Sequence, residues 1–159
     1  MITLKHGDIF SSKAQAIVAP VNCVGVMGKG LAEEFRRRFP KMNQAYVRDC
    51  KNGELRIGRP LLYRDSERII ICFPTKDDWR KPSQNEFIEA GLKTFVAKYK
   101  EWGIESIAFP ALGCGLGGLN WESVRSLMMK YFCDLPIEID VYEPSTVTDK
   151  VSQNPSVKR

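Results

Sequence analysis

Two glycine-rich segments and one lysine are the residues whose types and spacing could support chemistry in this sequence. The first segment places Gly25, Gly28 and Gly30 directly before a helix-like run that begins at Leu31. Glycine tolerates positive φ and lets another group approach the backbone closely. A helix that starts here directs unpaired N–H groups and its positive dipole end at the loop, which favours an anion such as phosphate. A flexible turn is the alternative interpretation.

The second glycine-rich segment is ALGCGLGGLNWESV, residues 111–124. It follows a β-like run and precedes a helix-like run, for which Asn120 is the predicted N-cap. Gly113, Gly115 and Gly118 fit the pattern G-x-G-x-x-G. A dinucleotide-binding fingerprint belongs to the first βα turn of a domain, however, and only one helix and one strand follow this one. We expect both glycine turns to face one crevice, where two helix N-termini would suit a diphosphate.

The lysine is Lys76, which ends the β-like run CFPTK and precedes Asp77, Asp78 and Trp79. A lysine at the end of a strand is usually only solvated. At the mouth of a crevice the same residue can act as a nucleophile, and the neighbouring carboxylates could carry protons. These residues by themselves leave both interpretations open.

The composition is typical of a single soluble domain: 159 residues, 43% hydrophobic and 27% charged. No apolar run approaches the roughly 20 residues that a membrane span needs, and the N-terminus lacks the layout of a signal peptide. We therefore expect a cytoplasmic protein without membrane contact. Five scattered cysteines without a C-x-x-C pair and one histidine, His6, argue against disulfides, zinc and histidine-paired catalysis. No cofactor or metal is predicted.

The net charge of +5 and the isoelectric point near 9.0 favour an anionic partner. Arg36, Arg37, Arg38 and Lys41 concentrate positive charge just after the first glycine segment, and Arg80 follows Lys76. Such a run is usually a solvated helix face. It also suits a surface that lies near nucleic-acid phosphates, so these residues are candidates for DNA contact.

Hydrophobic patterning predicts strands that alternate with helices, and therefore an α/β fold with a largely parallel sheet. The predicted strands cover 1–5, 16–21, 59–64, 68–73, 106–111 and 137–143, and the predicted helices cover 31–39, 41–51, 84–102 and 121–133. Residues 145–159 are polar and without periodicity, which predicts a disordered tail after a domain that spans 1–144.

Five segments of the sequence resemble the macrodomain family, which binds ADP-ribose. They are GDIF (7–10), AIVAPVN (16–22), GVMGKGLAEEF (25–35), FPTK (73–76) and PALGCGLGGLNW (110–121). The resemblance covers residues 1–144 and implies a three-layer α/β/α fold with a mixed, largely parallel central sheet. Among macrodomains, the segments NCVGVMGKG, FPTKDDW and GCGLGGLNW are most similar to the DarG antitoxin group. That group removes ADP-ribose from thymidine in DNA and reverses a DNA ADP-ribosyltransferase toxin.

The resemblance also implies a role for each matched position. Asp8 and Ile9 would hold the adenine, Asn22 would contact the distal ribose, and Lys76 would be the catalytic lysine. Tyr142 is a candidate for adenine packing, with a core position as the alternative. Two loops would wrap the diphosphate with their backbone: Val24, Gly25, Val26, Met27, Gly28 and Gly30 in the first, and Gly113, Cys114, Gly115 and Leu116 in the second.

Two positions depart from family patterns. Macrodomains commonly carry a second asparagine where this chain has Ala19, which affects fine positioning more than ligand class. Relatives that cleave ADP-ribose from protein glutamate carry aspartate where this chain has Gly117, and the glycine agrees with the DNA-acting group.

The predicted function is a lysine-dependent, metal-independent DNA ADP-ribosyl glycohydrolase. The expected partners are ADP-ribose or ADP-ribosylated DNA, and a cognate DNA ADP-ribosyltransferase toxin, with the protein itself a monomer. The alternatives are hydrolysis of a small ADP-ribose derivative, ADP-ribose binding without turnover, and sequestration of a signalling nucleotide.

Overall fold

The computed structural model describes residues 1–66 and 68–144. The predicted tail, 145–159, therefore lies outside the described residues. The strands are β1 (Ile2–Lys5), β2 (Ala16–Asn22), β3 (Leu61–Arg64), β4 (Ile69–Lys76), β5 (Ser106–Phe109) and β6 (Glu138–Tyr142). The helices are α1 (Gly30–Arg38), α2 (Pro40–Lys51), α3 (Asn85–Lys98) and α4 (Trp121–Phe132), with a short 3₁₀ helix at Ile9–Ser11. None of these helices is long and apolar enough to cross a bilayer.

The six strands form one sheet in the order β1-β6-β5-β2-β4-β3. Every neighbouring pair is parallel except β3 and β4, which are antiparallel. The sheet is therefore mixed and largely parallel, as predicted. β2 lies between β4 and β5 in the sheet. After β2 the chain adds β3 and β4 on one side of this strand and then crosses to add β5 on the other side. A crevice at the carboxyl end of the strands is expected at such a point.

The side chains of the central strands alternate between two cores, because successive residues of a strand point to opposite faces. In β2, Val18 belongs to the core beneath α3 and α4, whereas Ile17 and Ala19 belong to the core beneath α1 and α2. In β4, Ile71 and Cys72 divide in the same way. Two helix layers thus cover the sheet, and the predicted α/β/α architecture is confirmed.

Gly91 in α3 shows how closely a helix lies on the strand that carries Lys76. Glycine inside a helix costs about 1 kcal/mol relative to alanine. A Cβ at this position would overlap the ring of Phe73, a fully buried residue of β4. The ring of Phe73 in turn packs edge-on against Phe109, with 6.4 Å between centroids. Gly91 therefore makes room for the ring that fixes β4 against α3.

We expect Gly91→Ala to lower the free energy of unfolding by about 1–3 kcal/mol, since overpacking of a tight core outweighs the gain in helix propensity. Urea unfolding measures the change through its midpoint. Lys93→Ala, at an exposed position of the same helix, is the matched control and should leave the midpoint near its wild-type value. A higher midpoint for Gly91→Ala would contradict this packing.

Candidate functional site

A cleft of about 1050 Å³ lies at the carboxyl edge of the sheet. It is lined by the last residues of three strands, Asn22, Lys76 and Tyr142, and by Pro110 in the turn after β5. Both glycine-rich segments contribute to its walls. A second hollow of about 330 Å³ lies between α3 and α4 and is lined by none of the glycines of these segments. The larger cleft is therefore the candidate functional site.

A shift in strand register brings Lys76 beside Asn22. The parallel pairing of β2 with β4 runs regularly up to Val21, which lies opposite Pro74. The register then shifts, so that Asn22 lies opposite Lys76 and Thr75 is the extra residue on β4. The half-buried Lys76 donates a hydrogen bond from Nζ to the backbone carbonyl of Trp79 over 3.3 Å. The amine is thus held on the last residue of a central strand, at the cleft.

The side-chain amide of Asn22 holds the first glycine loop in shape. Its Nδ2 donates to the carbonyl of Val26 over 2.7 Å. Its Oδ1 accepts from the N–H groups of Val24, over 3.1 Å, and Val26, over 3.2 Å. One buried side chain therefore satisfies three backbone groups of a loop that has no regular secondary structure.

Tyr46 on α2 supports Asn22 from below the cleft. Its hydroxyl lies 2.8 Å from the backbone carbonyl oxygen of Asn22 and 2.9 Å from Oδ1. Burial raises the pKa of the Tyr46 hydroxyl well above its ordinary value, so the group stays protonated and serves as a donor. The residue after Asn22 is tied as well, because the N–H of Cys23 donates to the carbonyl of Asp77 over 3.3 Å.

The first glycine loop divides between residues that line the cleft and residues that support the loop. Val26, Gly28 and Gly30 line the cleft. Three residues predicted to contact a ligand do not: Val24, Gly25 and Met27. Met27 is buried in the core beneath α1 and α2, and Gly25, at φ +84°, packs against α2. Contact between a ligand and the backbone of Val24, Gly25 and Met27 stays a prediction.

The N-terminus of α1 opens into the cleft, where Gly30, Leu31 and Ala32 line the wall. The N-cap residue is Lys29, whose side chain has no acceptor atom with which to satisfy the first N–H groups of the helix. The N-terminus of α4 differs. Asn120 caps it by accepting from the N–H of Ser123 over 3.0 Å, and α4 contributes no lining residue within the described part of the chain. The expectation of two helix N-termini at the cleft is therefore wrong for α4.

The second glycine loop presents Gly113, Cys114, Gly115, Leu116 and Gly117 to the cleft. Its glycines serve different purposes. A Cβ added at Gly115 would project into open space. One at Gly117 would collide with the buried side chain of Ser83, and one at Gly113 would collide with the side chain of Leu119 and crowd Ser83. Gly113 also has a positive φ of 73°. Gly115 therefore allows close approach to the backbone, and the other two glycines fit the loop onto the segment that follows Lys76.

Cys114 is the one thiol among the residues that line the cleft. Burial raises its pKa to about 11. Burial thus favours the protonated thiol, which is the unreactive form of Cys114.

The opposite end of the cleft is formed by the 3₁₀ helix and the end of β6. Asp8 lines the cleft and caps the 3₁₀ helix, since its Oδ1 accepts from the N–H of Phe10 over 2.9 Å. The second carboxylate oxygen is left for a ligand. Ile9 and Tyr142 are both buried and both line the cleft. Tyr142 also belongs to the core beneath α1 and α2, the alternative that the sequence left open, and its packing against adenine stays a prediction.

The predicted basic residues separate into two groups. Arg36 and Arg38 form ion pairs with Glu33, over 3.7 Å, and Glu34, over 3.0 Å. The Arg38 guanidinium also lies 4.2 Å from the centre of the Phe10 ring, which places it beside the 3₁₀ helix. Arg37 and Lys41 are exposed in the same region. Arg80 belongs to the other group, because it follows Trp79 at the end of the cleft that holds Lys76.

Several lining residues carried no role in the sequence-based prediction. Among them are Glu34, Thr75, Trp79 and Glu143. The carboxylate of Glu143 accepts from Trp121 Nε1 over 3.1 Å and lies 3.2 Å from His6 Nε2. Trp79 ends the segment FPTKDDW, and the polar residues next to it in the sequence indicate that it is exposed. Across residues 1–66 and 68–144 no group of three His, Cys, Asp or Glu side chains could hold a metal ion.

Comparison with known proteins identifies the family. Residues 18–128 match the Macro domain family. The chain is a macrodomain. A Thermus aquaticus DarG macrodomain structure superposes with a TM-score of 0.86 at 42% identity, and the match covers 91% of this chain and 99% of that one. Thermosipho africanus DarTG, solved in complex with ADP-ribose, gives a TM-score of 0.87 at 41% identity, covering 90% of this chain and 41% of that one.

Among curated relatives, the macrodomain is 44% identical over 150 residues to a DNA ADP-ribosyl glycohydrolase of Mycobacterium tuberculosis. The alignment covers 91% of this chain and 43% of the relative, so the chain spans less than half the length of that protein. The predicted similarity to DarG macrodomains is confirmed.

We expect Tyr46→Phe to increase amide hydrogen exchange at Val24 and Val26, because Asn22 then loses the hydroxyl that fixes its amide. Loss of this buried hydrogen bond should also cost about 1–2 kcal/mol of stability. Tyr63→Phe is the matched control: it removes a hydrogen bond of 2.8 Å to Asp49 and should leave exchange at both valines at the wild-type rate. Equal exchange at both valines in the two variants would refute this role of Tyr46.

Proposed function

We propose that the macrodomain is a glycohydrolase that removes ADP-ribose from modified thymidine in DNA, with Lys76 as the catalytic residue. The observation that carries this proposal is the position of Lys76 opposite Asn22 in the cleft. The DNA ADP-ribosyl glycohydrolase name of the Mycobacterium tuberculosis relative supports the substrate class. The ADP-ribose complex of the Thermosipho africanus protein supports the ligand.

The proposed ligand lies along the cleft with its adenine at the 3₁₀ helix. There the free oxygen of Asp8 accepts from the exocyclic amino group, and Ile9 and Tyr142 contact the ring. The diphosphate lies between the glycine loops, next to Gly28, Gly115 and the N-terminus of α1, where N–H groups and the helix dipole favour negative charge. The distal ribose then reaches the end of the cleft that holds Asn22 and Lys76.

The proposed reaction uses Lys76 to divide one difficult displacement into two steps. The neutral amine attacks the anomeric carbon of the distal ribose, directly or after the sugar ring opens. A bond forms between Nζ and this carbon, the bond from the carbon to thymine breaks, and the ammonium proton passes to the base. Water then adds to the carbon, the bond to Nζ breaks, and ADP-ribose leaves.

Gly117 supports a DNA substrate over a protein glutamate substrate. Relatives that act on glutamate carry aspartate at this position, and here a Cβ would collide with Ser83 and with the backbone of Gly113. The loop thus has no room for that carboxylate in its present conformation.

We further propose that the protein acts as a monomer in the cytoplasm, opposite a DNA ADP-ribosyltransferase toxin. The resemblance to DarG supports the toxin partner. Independence from metals is proposed together with the lysine chemistry.

Lys76→Ala should abolish release of ADP-ribose from an oligonucleotide modified on thymine, whereas binding of free ADP-ribose persists. Lys76→Arg should not restore turnover, because a guanidinium stays protonated and cannot act as a nucleophile. Lys13→Ala, at the amino end of β2 and therefore at the opposite edge of the sheet, is the control and should keep the wild-type rate. The rate of ADP-ribose release is measured by chromatography for the wild type and the three variants.

Wild-type turnover by Lys76→Ala would overturn the proposed catalytic role. If wild-type protein binds ADP-ribose but releases none from the oligonucleotide, a binding module without turnover replaces the proposed enzyme. Release from ADP-ribose 1″-phosphate or an acyl ester alone would indicate a small-molecule substrate.

Asp8→Asn should weaken ADP-ribose binding by about 1–3 kcal/mol, because it replaces a charged acceptor for the adenine amino group. The asparagine keeps an acceptor for the N–H of Phe10, so the 3₁₀ helix stays capped. Calorimetry with ribose 5-phosphate, which has no adenine, is the matched control and should show no change. Equal losses for both ligands would remove Asp8 from the adenine site.

A further inference from the structure

Trp79 is the one exposed aromatic residue in the part of the chain that the structure describes, with 49% of its surface accessible. A tryptophan is normally largely buried, so an exposed ring at the edge of a cleft needs an explanation. It lines the cleft, and its backbone carbonyl accepts the hydrogen bond from Lys76 Nζ. The backbone of Trp79 is therefore bonded to the amine, and both residues line the same cleft.

The segment that carries Trp79 is braced. Asp78 accepts from Arg80 three times: from the backbone N–H over 2.9 Å, from Nε over 2.9 Å and from Nη2 over 2.6 Å. The N–H of Lys81 donates to the carbonyl of Asp78 over 3.0 Å. The N–H of Ser83 donates to Gly117 over 3.1 Å, which joins the segment to the second glycine loop.

Arg80 combines a fixed position with an accessible charge. Its guanidinium lies 5.4 Å from the centre of the Trp79 ring, and 67% of its side chain is exposed. A guanidinium has five N–H donors, and Asp78 takes two of them. The remaining donors are available to an acceptor outside the protein.

We propose that Trp79 and Arg80 form a nucleotide platform, in which the Trp79 ring stacks on the base that carries ADP-ribose and Arg80 binds a neighbouring phosphate of a single strand. This inference rests on the proposed function. The leaving base is bonded to the anomeric carbon, which must lie about 3–3.5 Å from Nζ for attack. The base therefore lies next to Trp79, and Arg80, on one face of the ring, leaves the base the other face.

With this platform, the DNA strand contacts the protein at the end of the cleft that holds Lys76. Arg38, in the basic run on α1, lies beside the 3₁₀ helix, where the adenine of the ligand is placed. A base attached to the distal ribose leaves the cleft at the opposite end. Any base can stack on an aromatic ring, and the proposed contact between Arg80 and a phosphate is sensitive to salt. Both properties are typical of proteins that bind single strands.

The test compares Trp79→Ala, Trp79→Phe and Arg80→Gln with Leu4→Ala, an exposed apolar position on β1 outside the cleft. Three probes are used: free ADP-ribose, ADP-ribosylated thymidine, and a single-stranded oligonucleotide with one ADP-ribosylated thymine. Trp79→Ala should lower kcat/KM about 10- to 100-fold on both modified substrates and leave ADP-ribose affinity unchanged. Trp79→Phe should recover most of the loss, and Leu4→Ala should match wild type.

Arg80→Gln should weaken activity on the oligonucleotide alone and reduce its log–log salt slope by about 0.7. Wild-type kinetics for Trp79→Ala, or an equal loss of ADP-ribose affinity, would overturn the platform. A wild-type protein that releases no ADP-ribose would instead overturn the proposed function. In that case, calorimetry of ADP-ribosylated thymidine with Lys76→Ala and with Lys76→Ala/Trp79→Ala still decides the platform, because equal affinities would refute it.

Discussion

The hydrogen bonds of Asn22 are the interaction on which the geometry of the cleft depends. This residue ends the central strand, pairs in register with Lys76, and fixes Val24 and Val26 through its side-chain amide. Tyr46 completes the arrangement from α2. Because the side chains of Asn22 and Tyr46 are buried, an unmade bond would leave one of their polar groups unsatisfied at a substantial free-energy cost. The loop is therefore held without regular secondary structure.

The glycines of the cleft illustrate how one residue type answers several constraints. Gly115 keeps a wall free of side chain, so that a ligand can approach backbone N–H groups. Gly117 is required for a different reason, since Ser83 occupies the space of its missing Cβ. Gly25 provides a positive φ where the loop turns back against α2. Substitution at these positions would therefore fail for unlike reasons, although all three lie in glycine-rich segments.

The charge distribution gives the cleft two unlike ends. At the 3₁₀ helix, Asp8, Glu34 and Glu143 line the wall, and Arg38 is paired with Glu34. At the other end stand Lys76 and the braced Arg80. The pairing of Arg80 with Asp78 holds the pKa of that carboxyl well below its usual range, so the ion pair persists across the physiological pH range. The exposed guanidinium of Arg80 is thus held in place near the end of the cleft where the proposed substrate leaves the protein.

The sequence by itself determined the layers of this fold and the chemical character of its site. The alternating runs predicted the six strands and the four α-helices but not the 3₁₀ helix. Asn120 was recognisable as a cap, and the glycine segments with Lys76 indicated an anion-binding cleft. Such features are local, because periodicity, capping and backbone freedom depend on residues within a few positions of one another. Only the tertiary structure decided that β4 gains a residue against β2, that Met27 points into the core, and that Trp79 stands beside Lys76. These outcomes depend on strand pairing and packing between residues far apart in the chain, which no local pattern encodes.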